Sequence, residues 1–177
     1  MPLAPGFEEI EVIAVVDILR RAGVKVIIAS TEDNPAEGRN KVKIVADASL
    51  DSVRDEDFDM IVLPGGALGT DNLKKDKRVK EILKRLYSHN KFITAICAGP
   101  TVLSAIGITD GKRITSHPGV RAEFKKEKLS DDRVVVDGKI ITSQGPGTAI
   151  EFALKLSEIL VGNQKTEEIN KNIVGKI

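Results

Sequence analysis

Phe92-Ile-Thr-Ala-Ile-Cys-Ala-Gly-Pro100 decides the reading of this chain. A run of apolar and β-branched residues leads without a break into a cysteine, which two small residues follow. Continuous apolar runs of this kind are what strands covered on both faces look like. The residues after it fit a helix over Ala98–Ile106, so strand passes into helix at Cys97 with no room for a loop. A turn that sharp lifts its side chain above the sheet edge. The helix start also favours a thiolate, through its dipole and its free N–H groups. The plain alternative is a buried, inert structural cysteine.

Working outward, the same alternation fills the chain. Strands are predicted over Val24–Ser30, Val42–Val45, Met60–Leu63, Phe92–Ile96, Arg113–Ser116, Arg133–Val136 and Lys139–Thr142. Helices are predicted over Glu8–Ala22, Val79–Tyr87, Ala98–Ile106, Val120–Glu127, Thr148–Val161 and Thr166–Ile173. Asp137-Gly138 reads as a two-residue hairpin turn between the last two strands. Thr31–Asn40, polar and holding Pro35 and Gly38, reads as a surface loop. Strand and helix in alternation give a mainly parallel sheet with helices on both faces and a late hairpin. No repeat or linker divides residues 1–177, so one domain is expected. Only Met1–Ala4 precede the first helix. The first strand, usually central in such a sheet, is therefore expected to be a stub, unless the chain starts upstream.

Composition narrows the function classes. Aromatic residues make up 3% of the chain, so the core is aliphatic. With 27 basic and 26 acidic residues the formal net charge is +1, which gives no field for nucleic acid or an anionic membrane. No apolar run reaches the roughly 18 residues a membrane span needs, and no secretory signal opens the chain. A single free cysteine suits the reducing cytoplasm. One Cys and two His cannot build a Cys/His zinc cage.

Ligands of open α/β sheets bind beyond the carboxyl ends of the strands. Those ends carry Pro64-Gly65-Gly66, Cys97-Ala98-Gly99, Ser116-His117-Pro118 and Ser143-Gln144-Gly145-Pro146-Gly147. Glu11, in the first helix, has Val15, Ile18 and Ala22 at plus four, seven and eleven. That stripe is apolar, so the carboxyl faces the protein and its pKa rises. A protonated carboxyl can donate to a thiolate, where an ionised one repels it. Glu8 and Glu9 fit the simpler role of first-turn acids. His117 stands at the same edge as a general base for Cys97, whereas His89 lies on a charged helix. The amides of Gly65, Gly66 and Ala98 are candidates for holding an oxyanion. Gly145-Pro146-Gly147 lacks the spacing of a dinucleotide fingerprint or a P-loop, so no nucleotide cofactor is expected.

In combination and order these segments resemble the ThiJ/PfpI superfamily, nearest to its Parkinsonism-associated deglycase branch. The markers are Pro5-Gly-Phe-Glu-Glu-Ile-Glu11, Val16-Asp-Ile-Leu-Arg-Arg-Ala-Gly23, Asp47-Ala-Ser-Leu50, Leu63-Pro-Gly-Gly66, Ala95-Ile-Cys-Ala-Gly-Pro100, Ser116-His-Pro118, Gly145-Pro-Gly-Thr148 and Glu151-Phe-Ala-Leu154. The resemblance implies a flavodoxin-like αβα sandwich, a homodimer and no cofactor. It places the family's reactive cysteine on Cys97, its buried glutamate on Glu11 and the branch's histidine on His117. Its oxyanion-type amides fall on Gly66 and Ala98. The activity implied is a cytoplasmic glyoxalase or deglycase acting on methylglyoxal, glyoxal or their early protein adducts. The alternative is an oxidative-stress sensor or chaperone built on the same cysteine. A peptidase is disfavoured, because peptidase-like members carry a histidine where this chain has Ala98. Gln144 stands where the branch often has an arginine.

Overall fold

The computed structural model describes residues 1–32 and 34–175. In chain order the first half holds β1 (Pro2–Leu3), α1 (Glu9–Arg21), β2 (Ala29–Ser30), β3 (Ala36–Glu37), β4 (Lys43–Ile44), β5 (Ala48–Ser49), α2 (Leu50–Val53), β6 (Met60–Leu63), α3 (Ala67–Lys75) and α4 (Lys77–Ser88). The second half holds β7 (Phe92–Ile96), α5 (Pro100–Ser104), β8 (Arg113–Ile114), β9 (Lys128–Leu129), β10 (Val134–Asp137), β11 (Ile140–Ser143), α6 (Ala149–Val161) and α7 (Asn163–Asn172).

The apolar runs at 60–63 and 92–96 form the parallel pair β6·β7, and β11 joins β7 in parallel on its other side. The hairpin at Asp137-Gly138 adds β10 antiparallel to β11. A second parallel set runs β1-β2-β5. Two helical layers cover this framework. On one side α1, α6 and α7 bury Val15, Ile18, Leu19, Phe152, Leu156 and Ile169. On the other, α2 to α5 contribute Leu50, Leu73, Val79, Leu83, Leu86 and Leu103. This is the expected flavodoxin-like αβα sandwich. In α4 the reason is visible in the spacing: Val79, Ile82, Leu83 and Leu86 are its buried residues, and they fall on one face at helical spacing. The Asp76 side chain caps its start by accepting from the Arg78 N–H at 2.8 Å.

Several expected elements differ. The apolar run from Val24 forms ladder pairs only at Ala29–Ser30, because the strand beside it is two residues long. The segment around Val42–Val45 pairs at Lys43–Ile44 with Ala36–Glu37, in a small antiparallel hairpin outside the main sheet. Part of the expected loop Thr31–Asn40 is therefore strand. Arg113–Ile114 pairs with Lys128–Leu129 rather than joining the main sheet. The helix expected over Val120–Glu127 is a 3-10 helix at Pro118–Glu123 that buries none of its residues. Without an apolar face to pack, an α-helix that short has little to hold it. The helix expected to begin at Ala98 begins at Pro100. Conversely α3 forms although Gly69, Thr70, Asp71 and Asn72 are weak helix formers. Leu73, Thr70 and Gly69 are the residues it buries.

Candidate functional site

Cys97 has φ 64. A residue with a Cβ adopts that left-handed backbone rarely, and it persists only where the surroundings enforce it. Two neighbouring segments do so. The Cys97 N–H donates to the Ser143 carbonyl at the end of β11 (3.0 Å), and the Cys97 carbonyl accepts from the His117 N–H (2.9 Å). The cysteine thus stands on a strand-to-helix elbow clamped from both sides, and only 9% of it is exposed.

Glu11 reaches the same point from α1. It is fully buried, and its Oε2 accepts from the Gly65 N–H at 2.6 Å. Its Oε1 has no hydrogen-bond partner among the described residues. Gly65 fits between the two side chains because it has none. A Cβ there would lie 2.5 Å from Cys97 Cβ, 2.8 Å from Glu11 Oε2 and 3.0 Å from Cys97 Sγ. Gly66 has φ 92, and a Cβ on it would sit 2.3 Å from the Gly6 carbonyl oxygen. This turn therefore requires glycine twice, once for space and once for conformation.

Burial and proximity set the electrostatics. Burial pushes the Glu11 carboxyl up to about 7, against the pull of the Gly65 N–H and of Cys97. Burial, then the Glu11 charge beside it, push the Cys97 thiol up, while the Gly66 and Ala98 N–H groups favour the thiolate. Two anions side by side in a dry site are strongly disfavoured. The pair therefore holds one proton over a wide range, on sulfur or on the carboxyl, and it titrates as a unit. With the proton on Glu11, Cys97 is a thiolate facing two amide donors.

His117 is near but not joined to the pair. Its ring is exposed, and Nδ1 accepts from the Gly119 N–H at 3.1 Å. In the neutral ring this places the proton on Nε2. A Cβ on Gly145 would lie 3.5 Å from His117 Cδ2 and 3.9 Å from Cys97 Sγ, so ring and sulfur border the same glycine. No side-chain hydrogen bond links His117 to Cys97 among the described residues. The Gly65 N–H, expected as an oxyanion donor, is taken by Glu11. Gly66 and Ala98 remain as the amides that face the sulfur.

The sequence did not single out Ser143, whose carbonyl fixes the elbow, or Arg39. The Arg39 guanidinium lies 3.4 Å from buried Glu8, and both charges bear on Glu11. Arg39 sits in an irregular segment, where no periodicity marks it. Glu9 is structural: it accepts from the Asn40 N–H (2.6 Å) and Nδ2 (2.9 Å), tying α1 to the β3·β4 hairpin. Gln144 donates from Nε2 to the Asp131 carbonyl at 2.8 Å. Among the described residues no three His, Cys, Asp or Glu side chains gather as a metal site. No helix among them is long and apolar enough to cross a membrane.

A cysteine on a constrained elbow, backed by a buried carboxyl at the edge of a flavodoxin-like sandwich, defines a class of α/β proteins with a strand-to-helix cysteine. Within that class the chain belongs to the DJ-1/PfpI family, whose family model matches residues 1–159. It is 42% identical over 166 residues to the glutathione-independent glyoxalase DJR-1.2 of Caenorhabditis elegans, covering 93% of this chain and 88% of that protein. Its fold superposes on the crystal structure of Drosophila melanogaster DJ-1beta with a TM-score of 0.97 at 41% identity, over 99% and 96% of the two chains. Oxidized DJ-1 of Toxoplasma gondii gives 0.96 at 35% identity, over 99% and 97%.

Proposed function

We propose that this protein is a cofactor-free, Cys97-dependent glyoxalase that converts methylglyoxal or glyoxal to the corresponding hydroxy acid. Early adducts of the same dicarbonyls on proteins are its second substrate class. The observation that carries the reading is the placement of Cys97 on its elbow and the buried Glu11 carboxyl on either side of Gly65, with the amides of Gly66 and Ala98 facing the sulfur. The 42%-identical glyoxalase supports it.

The chemistry follows from the proton that Cys97 and Glu11 share. The Cys97 thiolate adds to the aldehyde carbon, and Glu11 gives its proton to the oxygen that becomes the hemithioacetal hydroxyl. Glu11, now ionised, takes the hydrogen from that carbon as a proton and returns it to the neighbouring carbon, while the hemithioacetal hydroxyl passes its own proton to the oxygen of that neighbouring carbon. The product is a thioester of the hydroxy acid. Water hydrolyses it, releasing the acid and restoring the pair, so the net reaction is addition of one water. The Gly66 and Ala98 amides stabilise the charge that develops on oxygen. Glu11 suits the shuttle better than His117, because it lies buried against the sulfur, whereas the His117 ring is exposed. His117 orients the substrate through Nε2.

Glu11→Gln keeps the shape and removes the proton carrier. Lactate formation from methylglyoxal is expected to fall by about 10²–10⁴-fold. Unchanged turnover would move the proton transfer to His117. The same variant tests the electrostatics. A carboxyl raised from 4.5 to about 7 contributes stability that is complete below pH 4.5 and is lost as pH rises through about 7. Wild-type Tm should therefore decline across that window more steeply than the Tm of Glu11→Gln.

The site also suits a second reading. The amides and carboxyl around Cys97 would hold a sulfinate, formed when peroxide supplies two oxygens to the thiolate. The likeness to an oxidized relative favours keeping it.

A further inference from the structure

Pro118–Glu123 buries none of its residues, yet polar contacts tie it to three of the segments that build the cysteine site. At its start the His117 N–H donates to the Cys97 carbonyl (2.9 Å). At its end the Glu123 carboxylate pairs with Lys74 Nζ (2.9 Å) on α3, the helix that Gly66 caps. In between, Arg121 grips the loop before β10. Its Nη1 pairs with Asp131, and its Nη2 donates to the Ser130 carbonyl (2.8 Å). Gln144, the residue before Gly145, donates to the carbonyl of the same Asp131 (2.8 Å). The segment is thus a strap strung between α3, Cys97 and the end of β11.

The strap also carries part of the site's rim. His117 Nδ1 accepts from the Gly119 N–H (3.1 Å), so the ring moves with the strap. Ring and sulfur border one glycine: a Cβ on Gly145 would lie 3.5 Å from His117 Cδ2 and 3.9 Å from Cys97 Sγ. With the strap in place Cys97 is 9% exposed. Val120 is half-buried against the core. The outer ties are the two ion pairs, whose acidic side chains are 52% exposed at Glu123 and 95% at Asp131. Exposed pairs are individually weak and are screened by salt. A strap held in this way opens locally while the rest of the domain stays folded.

We propose that Arg121 and Glu123 are specificity-determining residues: by holding the strap closed they reserve Cys97 for small, free dicarbonyls and disfavour those that carry a bulky group. The substrates sorted rest on the glyoxalase reading; the closure does not. Glyoxal and methylglyoxal pass the closed rim. A dicarbonyl with a bulky substituent, or an adduct still attached to a protein, waits for the strap to lift, and its rate scales with the fraction of open molecules.

Two reagents with one reactive group read the strap without turnover: iodoacetamide and its N-pyrenyl derivative. Each rate of Cys97 alkylation is divided by the rate on the unfolded chain. On wild type the pyrenyl reagent should then be slowed at least about tenfold more than iodoacetamide, and Arg121→Gln with Glu123→Ala should close that difference. Raised salt should move wild type in the same direction. Glu123→Lys should lose part of the discrimination by size. Lys74→Glu with Glu123→Lys, which restores the pair with its charges exchanged, should recover it. In the same Arg121→Gln, Glu123→Ala variant the kcat/KM preference for methylglyoxal over tert-butylglyoxal should fall about tenfold. Equal size discrimination in wild type, in the variants and in salt would overturn the proposal. So would faster alkylation by both reagents alike, which would make the strap a cover without selectivity. Alkylation that behaves as expected, in a wild type that makes no lactate from methylglyoxal, would support the size filter and remove the glyoxalase reading.

Discussion

Cys97→Ala is expected to bring lactate formation from methylglyoxal to background, a loss of about 10³-fold or more, because the nucleophile has no substitute in the site. The fold should survive. Alanine removes only the sulfur from a small side chain of the buried core and leaves no charge or polar group unpaired there. Alanine keeps a Cβ in the left-handed backbone, so the substitution adds no new strain at φ 64. The readout is lactate assayed directly, with Tm in parallel. Residual turnover near wild type would remove the mechanism. If wild type itself makes no lactate while peroxide adds two oxygens to the Cys97 peptide, the sensor reading takes its place.

Gly65→Ala should lower both stability and turnover, although the change is one methyl group. That methyl would meet Cys97 Cβ at 2.5 Å and Glu11 Oε2 at 2.8 Å. Relief requires moving the elbow or the carboxyl. Overpacking of this kind costs about 1–3 kcal/mol of stability. The displaced pair should lose about 10²-fold in turnover, since misplacement near 1 Å is enough for that. Gly147→Ala is the control, because a Cβ there meets nothing within 4 Å. Equal behaviour of the two variants, in Tm and in lactate formation, would show that the spacing of Cys97 and Glu11 does not matter.

The parts of this fold that were legible in the sequence are those whose signal is local. Met60–Leu63 and Phe92–Ile96 are continuous apolar runs and became β6 and β7 with the same bounds. Glu11 was legible because Val15, Ile18 and Ala22 share its face, and the stripe does point inward. What stayed hidden depends on partners distant in sequence. Val24–Ile27 is as apolar as a strand and forms no ladder pairs, since a ladder needs a neighbour. The 3-10 helix at Pro118–Glu123 failed to become a longer helix for want of a surface to pack on. In the site, the nearness of Gly145 to both Cys97 and His117 is set by the register of β11 on β7. No motif encodes that register. The commitment of the Gly65 N–H to Glu11 likewise joins residues 54 apart.

The central claim is that Cys97 and Glu11 share one proton and that the thiolate is reached by leaving it on the carboxyl. The pH dependence of Cys97 alkylation by iodoacetamide, followed by mass spectrometry of the Cys97 peptide, tests it most directly. The first ionisation of a coupled pair sums both routes, so it lies no higher than the Glu11 value of about 7. Alkylation should therefore rise to a plateau with a midpoint at or below that pH. A rate that stays flat through neutrality and climbs only toward the value of about 12 would mean that Glu11 alone ionises near neutral pH, and it would contradict the account.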